Sequence, residues 1–269
     1  MEYKTRFVVF AVISLIWLNM FEIPDKFSYK STIAKHTPNI QRFTDFLNPD
    51  QCQYLTDKLK THPENVAGGG LGEGFTNVTG FTVIFKNKDL AQRLFVNDLK
   101  LQMVWDILER VTLPDSNAFV INTLVIKASD ISMTDDAVSP HYDNTIDVES
   151  GGFNRDLLAR FINIIYVNCP KDIIGGEFVA YEKGISNVHE FSKPLGLSSY
   201  IPLPTPVVYQ KPINGNYLKV RGDLCHKVNS FGSKVNDVRI SLVIEEYMCN
   251  DTELSVMDEI TIRSKRNTS

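Results

Sequence analysis

Short runs of β-branched and aromatic residues dominate the second half of the chain. From residue 117 onwards they are separated by Gly, Pro, Asn and Asp, and they read FVINTLVIK, ARFINIIYVN, GEFVAY, TPVVYQ, YLKV and RISLVIEEY. Such a series of runs, with no helical periodicity between them, is typical of a sandwich or barrel rather than of a parallel α/β sheet. The second half is therefore predicted to be a β-rich core.

Two segments before residue 117 have helical spacing. Asn48 and Pro49 provide an N-cap and a first-turn proline for a helix with apolar positions at Cys52, Leu55 and Leu59. A second helix is predicted over 89–110 by the spacing of Leu90, Leu94, Leu101, Trp105 and Leu108. Between them, residues 66–74 (VAGGGLGEG) predict a flexible loop. The expected fold class is mainly β with flanking helices, an α+β domain.

The composition is that of a globular protein of one or two domains. Of the 269 residues, 43% are apolar and 10% aromatic, which suffices for a buried core. The net charge is −4, and the only basic run lies in a polar segment near the C-terminus, so no nucleic-acid-binding surface is expected. Four cysteines are too few for a disulfide scaffold at this length, and the sequence leaves their pairing open.

One segment departs from the globular pattern. Residues 7–18 read FVVFAVISLIWL, and the segment extended to Ile23 has 17 residues, at the short end for crossing a bilayer. Basic residues before it and acidic residues after it favour a cytosolic N-terminus and a translocated body. No A-x-A-like cleavage site follows closely, which favours an uncleaved signal anchor over a cleaved signal peptide. A buried helix of a soluble protein is the remaining alternative.

These features divide the chain into four parts. Residues 1–23 are expected to be a signal anchor or signal peptide, 24–40 a stem, 41–250 the folded domain and 251–269 a polar C-terminal tail. The expected location is the secretory pathway, as a single-pass type II protein of the endoplasmic reticulum or Golgi membrane with a luminal domain, or as a secreted protein if the segment is cleaved. Three glycosylation sequons, at Asn77, Asn250 and Asn267, are about as many as chance gives and leave glycosylation open.

Two of the five histidines stand out by their surroundings. His141 and Asp143 are separated by one residue, so in an extended chain their side chains project from the same face. His226 follows much later, within RGDLCHKV, at the edge of another predicted strand. The other three histidines are predicted surface residues: His36, His62 and His189.

Two imidazoles and a carboxylate suit a facial Fe(II) site. Three protein ligands leave adjacent positions on the metal for a chelating cosubstrate and for O₂. The same ligand types also form hydrolytic zinc sites, so His141, Asp143 and His226 by themselves leave the metal open.

Arg239 lies inside an apolar predicted strand, with Ser241 on the same face. A guanidinium is costly to bury there unless it pairs with an anion, and its two-pronged geometry suits a carboxylate. The alternative is an internal ion pair with Asp237 or Glu245.

Five segments occur in the order found in the iron(II)/2-oxoglutarate-dependent dioxygenases, and the chain resembles the prolyl 4-hydroxylase-like branch of that family. Together they extend over about 200 residues: FTDFLNPDQCQYL (43–55), HYDN (141–144), ARFINIIYVN (159–168), GGEFVAY (175–181) and GDLCHKVNSFGSKVNDVRISLVIEEY (222–247). The resemblance implies a double-stranded β-helix (jelly-roll) core with helices packed outside it. It also implies that His141, Asp143 and His226 bind Fe(II).

The resemblance further implies a cosubstrate site. Arg239 is expected to pair with the distal carboxylate of 2-oxoglutarate, Tyr166 matches a tyrosine that hydrogen-bonds this carboxylate in some members, and Ser241 is expected to assist. The implied activity is hydroxylation of a peptide side chain, above all peptidyl proline, using O₂ and releasing succinate and CO₂, and ascorbate is a further cofactor that the resemblance allows. Asn144 and Asn229 are candidates for orienting the iron ligands.

The chain departs from the family pattern before the first iron ligand. The stretch 124–140, LVIKASDISMTDDAVSP, has no tyrosine where the family often has Y-x-x-G. Three alternatives to a prolyl hydroxylase remain. The first is the same chemistry on a lysyl, small-molecule or lipid substrate, and the second is a membrane-tethered jelly-roll binding module without metal. The third is a type II glycosyltransferase using Asp135 and Asp136, which the topology of the N-terminal segment suggests. The expected partners are a peptide or protein substrate and, through the N-terminal segment, a membrane. The sequence gives no oligomeric state.

Overall fold

Two β-sheets face each other in the structure, a computed structural model that describes residues 39–71, 75, 78–128, 136–150, 153–181, 206–234 and 237–264. All of these residues fall within one unit, Ile33–Ser269. The predicted anchor at 1–23 and almost all of the predicted stem at 24–40 lie outside the described residues. Within the described part of the chain, no helix is both long and apolar enough to cross a bilayer.

The strands and helices alternate little along the chain, because most helices precede the core strands. The strands are β1 (Ile40–Phe43), β2 (Val66–Ala67), β3 (Val78–Phe85), β4 (Ala118–Lys127), β5 (Asp136–His141), β6 (Asp147–Ser150), β7 (Phe153–Asp156), β8 (Phe161–Asn168), β9 (Ile174–Gly175), β10 (Phe178–Tyr181), β11 (Pro206–Gln210), β12 (Tyr217–Arg221), β13 (Cys225–Asn229), β14 (Phe231–Gly232), β15 (Val238–Tyr247) and β16 (Ile260–Arg263). The helices are α1 (Pro49–Leu59), α2 (Lys88–Arg93), α3 (Gln102–Val111) and α4 (Asp251–Val256).

The strand order is that of a jelly roll. Among the described residues, the larger sheet has the order β1-β12-β8-β15-β4-β3-β16, with β2 paired to β3, and the smaller sheet has the order β11-β10-β13-β5. Along the chain, β4, β8, β12 and β15 enter the larger sheet while β5, the β10–β11 pair and β13 enter the smaller one, and every pairing is antiparallel. This alternation between two facing sheets confirms the predicted double-stranded β-helix.

Side chains of the larger sheet face two different cores. On β15, Ile240, Leu242 and Ile244 pack in a cluster with the helices, because alternate residues of a strand point to opposite faces. A second cluster combines residues of both sheets, including Tyr166 of β8 and Phe178 of β10, and so fills the space between the sheets. The four cysteines are buried free thiols: Cys52, Cys169, Cys225 and Cys249.

The helix predicted over 89–110 is divided. It consists of α2, a π-helical turn at Leu94–Asp98, and α3. The division falls at Lys100, whose φ of 58° is left-handed and ends helical hydrogen bonding there. The predicted loop at 66–74 likewise contains β2 and a short 3₁₀ turn, Gly68–Gly70.

The segment predicted as a polar tail, 251–269, is ordered structure over 251–264. A capping box begins α4. The Asn250 side chain accepts from the Glu253 amide at 2.9 Å, and the Glu253 carboxylate accepts from the Asn250 amide at 2.8 Å. β16 then pairs with β3 from Ile260–Phe85 onwards and extends the larger sheet. The sequence pattern does not reveal β16, because a short, half-buried edge strand carries little apolar signal of its own.

Candidate metal centre and cosubstrate site

The two predicted histidine ligands lie on neighbouring strands. β5 and β13 are paired so that His141 is opposite His226, and Asp143 follows β5 by two residues. The Nε2 atom of His141 lies 3.2 Å from one Asp143 carboxylate oxygen, and the Nε2 atom of His226 lies 3.6 Å from the other. Ligand atoms of all three residues are within 4.8 Å of one another, so the fold brings the sequence-predicted triad together.

Backbone carbonyls orient both imidazoles. The Nδ1 atom of His141 lies 2.7 Å from the Ser139 carbonyl, and the Nδ1 atom of His226 lies 3.1 Å from the Leu224 carbonyl. A proton on Nδ1 in each ring leaves the Nε2 lone pair free for a metal. The orienting role predicted for Asn144 and Asn229 therefore falls to the backbone, and the Asn229 side chain instead donates to Glu177 at 3.1 Å.

The lowered pKa values of His226 and Asp143 suit a divalent cation. Burial lowers the pKa of His226 to about 4, so this imidazole is neutral at physiological pH. Burial opposes ionisation of Asp143, but the two imidazoles beside it lower its pKa overall. Burial also disfavours a charged His141, yet its hydrogen bond to Asp143 leaves its pKa raised, so a metal bound at this ring displaces a proton from Nε2. One carboxylate and two imidazoles fit Fe(II) as a donor set.

The turn before His226 has no room for a side chain larger than that of glycine. A Cβ at Gly222 would lie 1.8 Å from the Ala159 carbonyl oxygen. Next to it, Arg221 donates to both carboxylate oxygens of Asp223, at 2.9 and 2.6 Å. This turn fixes the start of β13 and with it the position of His226.

Arg239, Tyr166 and Ser241 lie together on the inner face of the larger sheet. Their exposed fractions are 2%, 0% and 1%. Ser241 pairs with Tyr166 across β15 and β8, and the Arg239 guanidinium carbon is 5.2 Å from the centre of the Tyr166 ring. One guanidinium nitrogen donates to the Gly176 carbonyl at 2.6 Å. The three predicted cosubstrate residues thus form one buried cluster.

Each of these residues has a polar atom without a partner. Among the described residues, the buried atoms that lack a hydrogen bond include Arg239 Nε, Tyr166 OH and Ser241 Oγ. Burial raises the pKa of Tyr166 to about 12, which keeps its hydroxyl protonated and able to donate. Three neighbouring residues with buried, unsatisfied polar groups are costly to a fold, and a carboxylate bound among them would accept hydrogen bonds from them.

The alternative of an internal ion pair for Arg239 is not found within the described structure. Asp237 pairs with Lys60 at 3.1 Å, and the Glu245 carboxyl accepts from three other side chains. A buried guanidinium without a carboxylate partner is expensive in a folded protein unless a ligand supplies the negative charge. The cluster therefore fits the distal carboxylate of 2-oxoglutarate.

Sequence reasoning missed or misplaced several polar residues. Glu245 lies 1% exposed on the same face of β15 as Arg239, a position that the alternation along the strand could have revealed. His62, predicted at the surface, is buried against the Phe81 ring, with ring centres 4.9 Å apart. Asp136, considered for a glycosyltransferase metal site, forms an ion pair with Lys227 at 2.7 Å, while Asp135 lies outside the described residues.

Comparison with known proteins gives structural relatives only. No protein-family model matches the chain, and no curated protein sequence is significantly similar to it. The chain is similar in structure to an oxidoreductase of the 2OG-Fe(II) oxygenase family from Burkholderia pseudomallei, with 12% identity and a TM-score of 0.44 over 79% of this chain and 86% of the other.

Two prolyl hydroxylases are among the other similar structures. The prolyl-4-hydroxylase from Pseudomonas putida has 14% identity and a TM-score of 0.45, over 80% of this chain and 95% of the other. A prolyl hydroxylase from Trichoplax adhaerens, in complex with a hypoxia inducible factor peptide fragment, has 12% identity and a TM-score of 0.42, over 82% and 89%.

Proposed function

We propose that the chain is an Fe(II)- and 2-oxoglutarate-dependent dioxygenase that hydroxylates a peptide side chain, with peptidyl proline as the first candidate. The observation that carries the proposal is a buried guanidinium without a carboxylate partner in the same interior as a His₂-Asp triad. Phe178 connects the two, because its ring centre lies 5.1 Å from that of His226 and it packs in the same cluster as Tyr166. The peptide substrate rests on the sequence motifs alone.

The triad would hold the iron through His141, Asp143 and His226. Asp143 contributes one negative charge, and the backbone carbonyls behind both rings keep their Nε2 atoms turned towards it. When bound, Fe(II) and 2-oxoglutarate supply the electrons that reduce O₂, with release of succinate and CO₂ and transfer of one oxygen atom to a substrate C–H bond. Three protein ligands leave room on the metal for these partners.

Arg239 would hold the far end of 2-oxoglutarate. Its Nε donor is free while its terminal nitrogen is fixed by the Gly176 carbonyl, so the guanidinium is already oriented. Tyr166 and Ser241 each add a hydroxyl donor to the same carboxylate. Because all three residues are almost fully buried, bulk water competes little for these hydrogen bonds.

The first experiment tests metal and cosubstrate binding together. Purified protein is mixed anaerobically with Fe(II) and 2-oxoglutarate, and a weak visible charge-transfer band is expected. The same band should be absent from an Asp143→Ala variant of matched stability. A well-folded wild-type protein that gives no band would overturn the proposal and favour a binding module without metal.

The second experiment addresses the substrate. Conversion of 2-oxoglutarate to succinate is measured against a peptide library, and mass spectrometry locates any added oxygen. Oxygen on a prolyl residue supports the candidate substrate. Oxygen on lysine, a small molecule or a lipid would support the dioxygenase activity but assign it a different substrate. Ascorbate is tested as an activator in the same assay.

We also propose that the N-terminal segment places the domain on the luminal side of a secretory-pathway membrane. The proposal rests on the apolar run before Ile23 and its flanking charges. Membrane fractions resistant to carbonate extraction, with the domain protected from added protease until detergent is present, are the expected result. Full extraction or digestion without detergent contradicts it.

A further inference from the structure

A buried carboxyl group lies at the centre of a polar network between the sheets. Glu245 accepts hydrogen bonds from Asn122 Nδ2 at 2.7 Å, Thr145 Oγ1 at 3.0 Å and Tyr247 OH at 2.5 Å. The Asn122 amide is itself fixed, because Thr82 donates to its oxygen at 2.9 Å. The three donors come from β4, from β15 and from the segment that follows β5, so Glu245 ties separate parts of the chain together.

One of these parts carries a proposed iron ligand. Thr145 is two residues from Asp143, in the stretch between β5 and β6 that has no regular secondary structure. The Asp143 carbonyl accepts from the Ala159 amide at 2.9 Å, and Ile146 is buried between the sheets. The bond from the Thr145 side chain to Glu245 anchors this stretch to the larger sheet, and the Thr145 backbone also hydrogen-bonds the Tyr247 hydroxyl of β15.

The Glu245 carboxyl interacts electrostatically with Asp143 and His141 of the triad. Burial, followed by the negative charge of Asp143, raises the pKa of Glu245 to about 8. Because alternate residues of a strand share a face, Arg239 and Glu245 both lie on the inner face of β15, towards opposite ends of the strand. The first has no carboxylate partner, whereas the second is fully occupied by hydrogen bonds within the fold.

We propose that Glu245 is a positioning residue for the iron ligand Asp143, acting through its hydrogen bond to Thr145. The inference rests on the proposed function for the identity of the metal, but its geometry belongs to this chain. Metal ligands need support that holds them within a fraction of an ångström of their binding position. Removal of partners that support a ligand typically costs ten- to a hundredfold in metal affinity.

The test measures metal affinity rather than turnover. Binding of Mn(II) alone is followed by calorimetry, and the absorption spectrum of the Co(II)-loaded protein reports the ligand arrangement. Glu245→Leu, which removes the oxygen that accepts from Thr145, is expected to weaken Mn(II) binding by about tenfold and to alter the Co(II) bands. Thr145→Val should weaken Mn(II) binding to a similar extent while keeping the Glu245 carboxyl group, and Thr145→Ser, which keeps the hydroxyl, should show wild-type affinity.

The matched control is the next residue of the strand. Glu246 is also buried and hydrogen-bonded, but it faces Lys219, with a nitrogen–oxygen distance of 2.7 Å, on the other side of the sheet. Glu246→Gln should lower the melting temperature and leave Mn(II) affinity within about twofold of wild type, because no hydrogen bond in the described part of the chain joins its side chain to the triad segment.

Each outcome has a defined meaning. If folded Thr145→Val has the metal affinity and Co(II) spectrum of the wild type, the positioning role is wrong. It is also wrong if Glu246→Gln loses as much Mn(II) affinity as the Glu245 variant, because the loss would then reflect lower stability of the whole fold. If Glu245→Leu does not fold, the comparison of Thr145→Val with Thr145→Ser still tests the positioning role. Absence of metal binding by the wild-type protein overturns the proposed function as well, whereas normal binding with unchanged variants overturns only this inference.

Discussion

The Arg239 guanidinium carbon lies 5.2 Å from the centre of the Tyr166 ring, and each of the two side chains keeps a buried donor without a partner. The aromatic ring stabilises the cation without satisfying its hydrogen-bonding capacity. The pair is therefore arranged for a third, negatively charged group. A fold that leaves such donors open loses stability, and a ligand that binds them recovers it.

Removal of the guanidinium should separate cosubstrate binding from metal binding. Arg239→Ala is expected to weaken 2-oxoglutarate binding at least about a hundredfold, since a charge-assisted bidentate contact is lost in a buried site. Mn(II) affinity should change by less than about threefold, because Arg239 is no part of the triad. Arg239→Lys keeps the positive charge but not the two-pronged geometry of the guanidinium. Its affinity for 2-oxoglutarate should lie between those of the wild type and Arg239→Ala. Calorimetry with each ligand checks this, and equal losses for both would refute the assigned role.

Removal of the Tyr166 hydroxyl should weaken binding without weakening the fold. The free energy of unfolding of Tyr166→Phe is expected to be unchanged or to rise by up to about 1 kcal/mol, because an unsatisfied buried hydroxyl disappears. Affinity for 2-oxoglutarate should fall about tenfold, as expected for loss of one hydrogen bond to a charged group. Urea unfolding without ligand and calorimetry with it measure the two effects.

Tyr217 provides the control for that comparison. Its hydroxyl donates to Asn163 at 2.6 Å, so this hydrogen bond is already made within the fold. Tyr217→Phe should lose about 1–2 kcal/mol of stability and leave 2-oxoglutarate affinity unchanged. A Tyr166→Phe variant that behaves like Tyr217→Phe would show that Tyr166 is structural.

The buried ion pair between Lys219 and Glu246 should matter for stability alone. Lys219 also donates to the Val111 carbonyl at 3.1 Å, and Glu246 accepts from Ser116 at 2.8 Å, so the pair joins the end of α3 to the sheet. Lys219→Met leaves a buried carboxylate uncompensated and should cost about 3–5 kcal/mol in urea unfolding. A loss under about 1 kcal/mol would contradict this, as would reduced Mn(II) affinity in the folded variant.

Glu245 should make the metal-free protein less stable as the pH rises from about 4.5 to about 8, while the lowered pKa of His226 acts in the opposite direction up to about pH 6.5. Burial and then Asp143 raise the pKa of Glu245 from 4.5 to about 8, so the folded state favours the protonated form. The stabilisation is complete below the lower value and is lost as the pH rises through the upper one. The titratable groups facing Glu245 are Tyr247 on its own strand and Asp143 and His141 beyond it. Chemical denaturation in the presence of a chelator measures the free energy of unfolding at each pH. This free energy should change less with pH in Glu245→Gln than in the wild type.

Sequence patterns predicted secondary structure correctly where residues close together in the chain determine it. The N-cap Asn48 and the apolar spacing after it predicted α1, and the capping box found there explains why. Strand β3 and the edge strand β16 escaped prediction, since a strand is stabilised by partners far away in sequence. The break between α2 and α3 escaped as well, because apolar spacing alone does not reveal the left-handed Lys100.

The sequence by itself determined which residues share a face, because alternation along an extended strand is covalent geometry: it placed Arg239 with Ser241, and His141 with Asp143. Only the tertiary structure decided that β13 pairs with β5, which brings His226 to the other two ligands. It also decided which buried groups find partners, leaving Arg239 and Tyr166 open while Glu245 is fully hydrogen-bonded. Those outcomes depend on contacts between distant segments, for which a strand's own pattern contains no information.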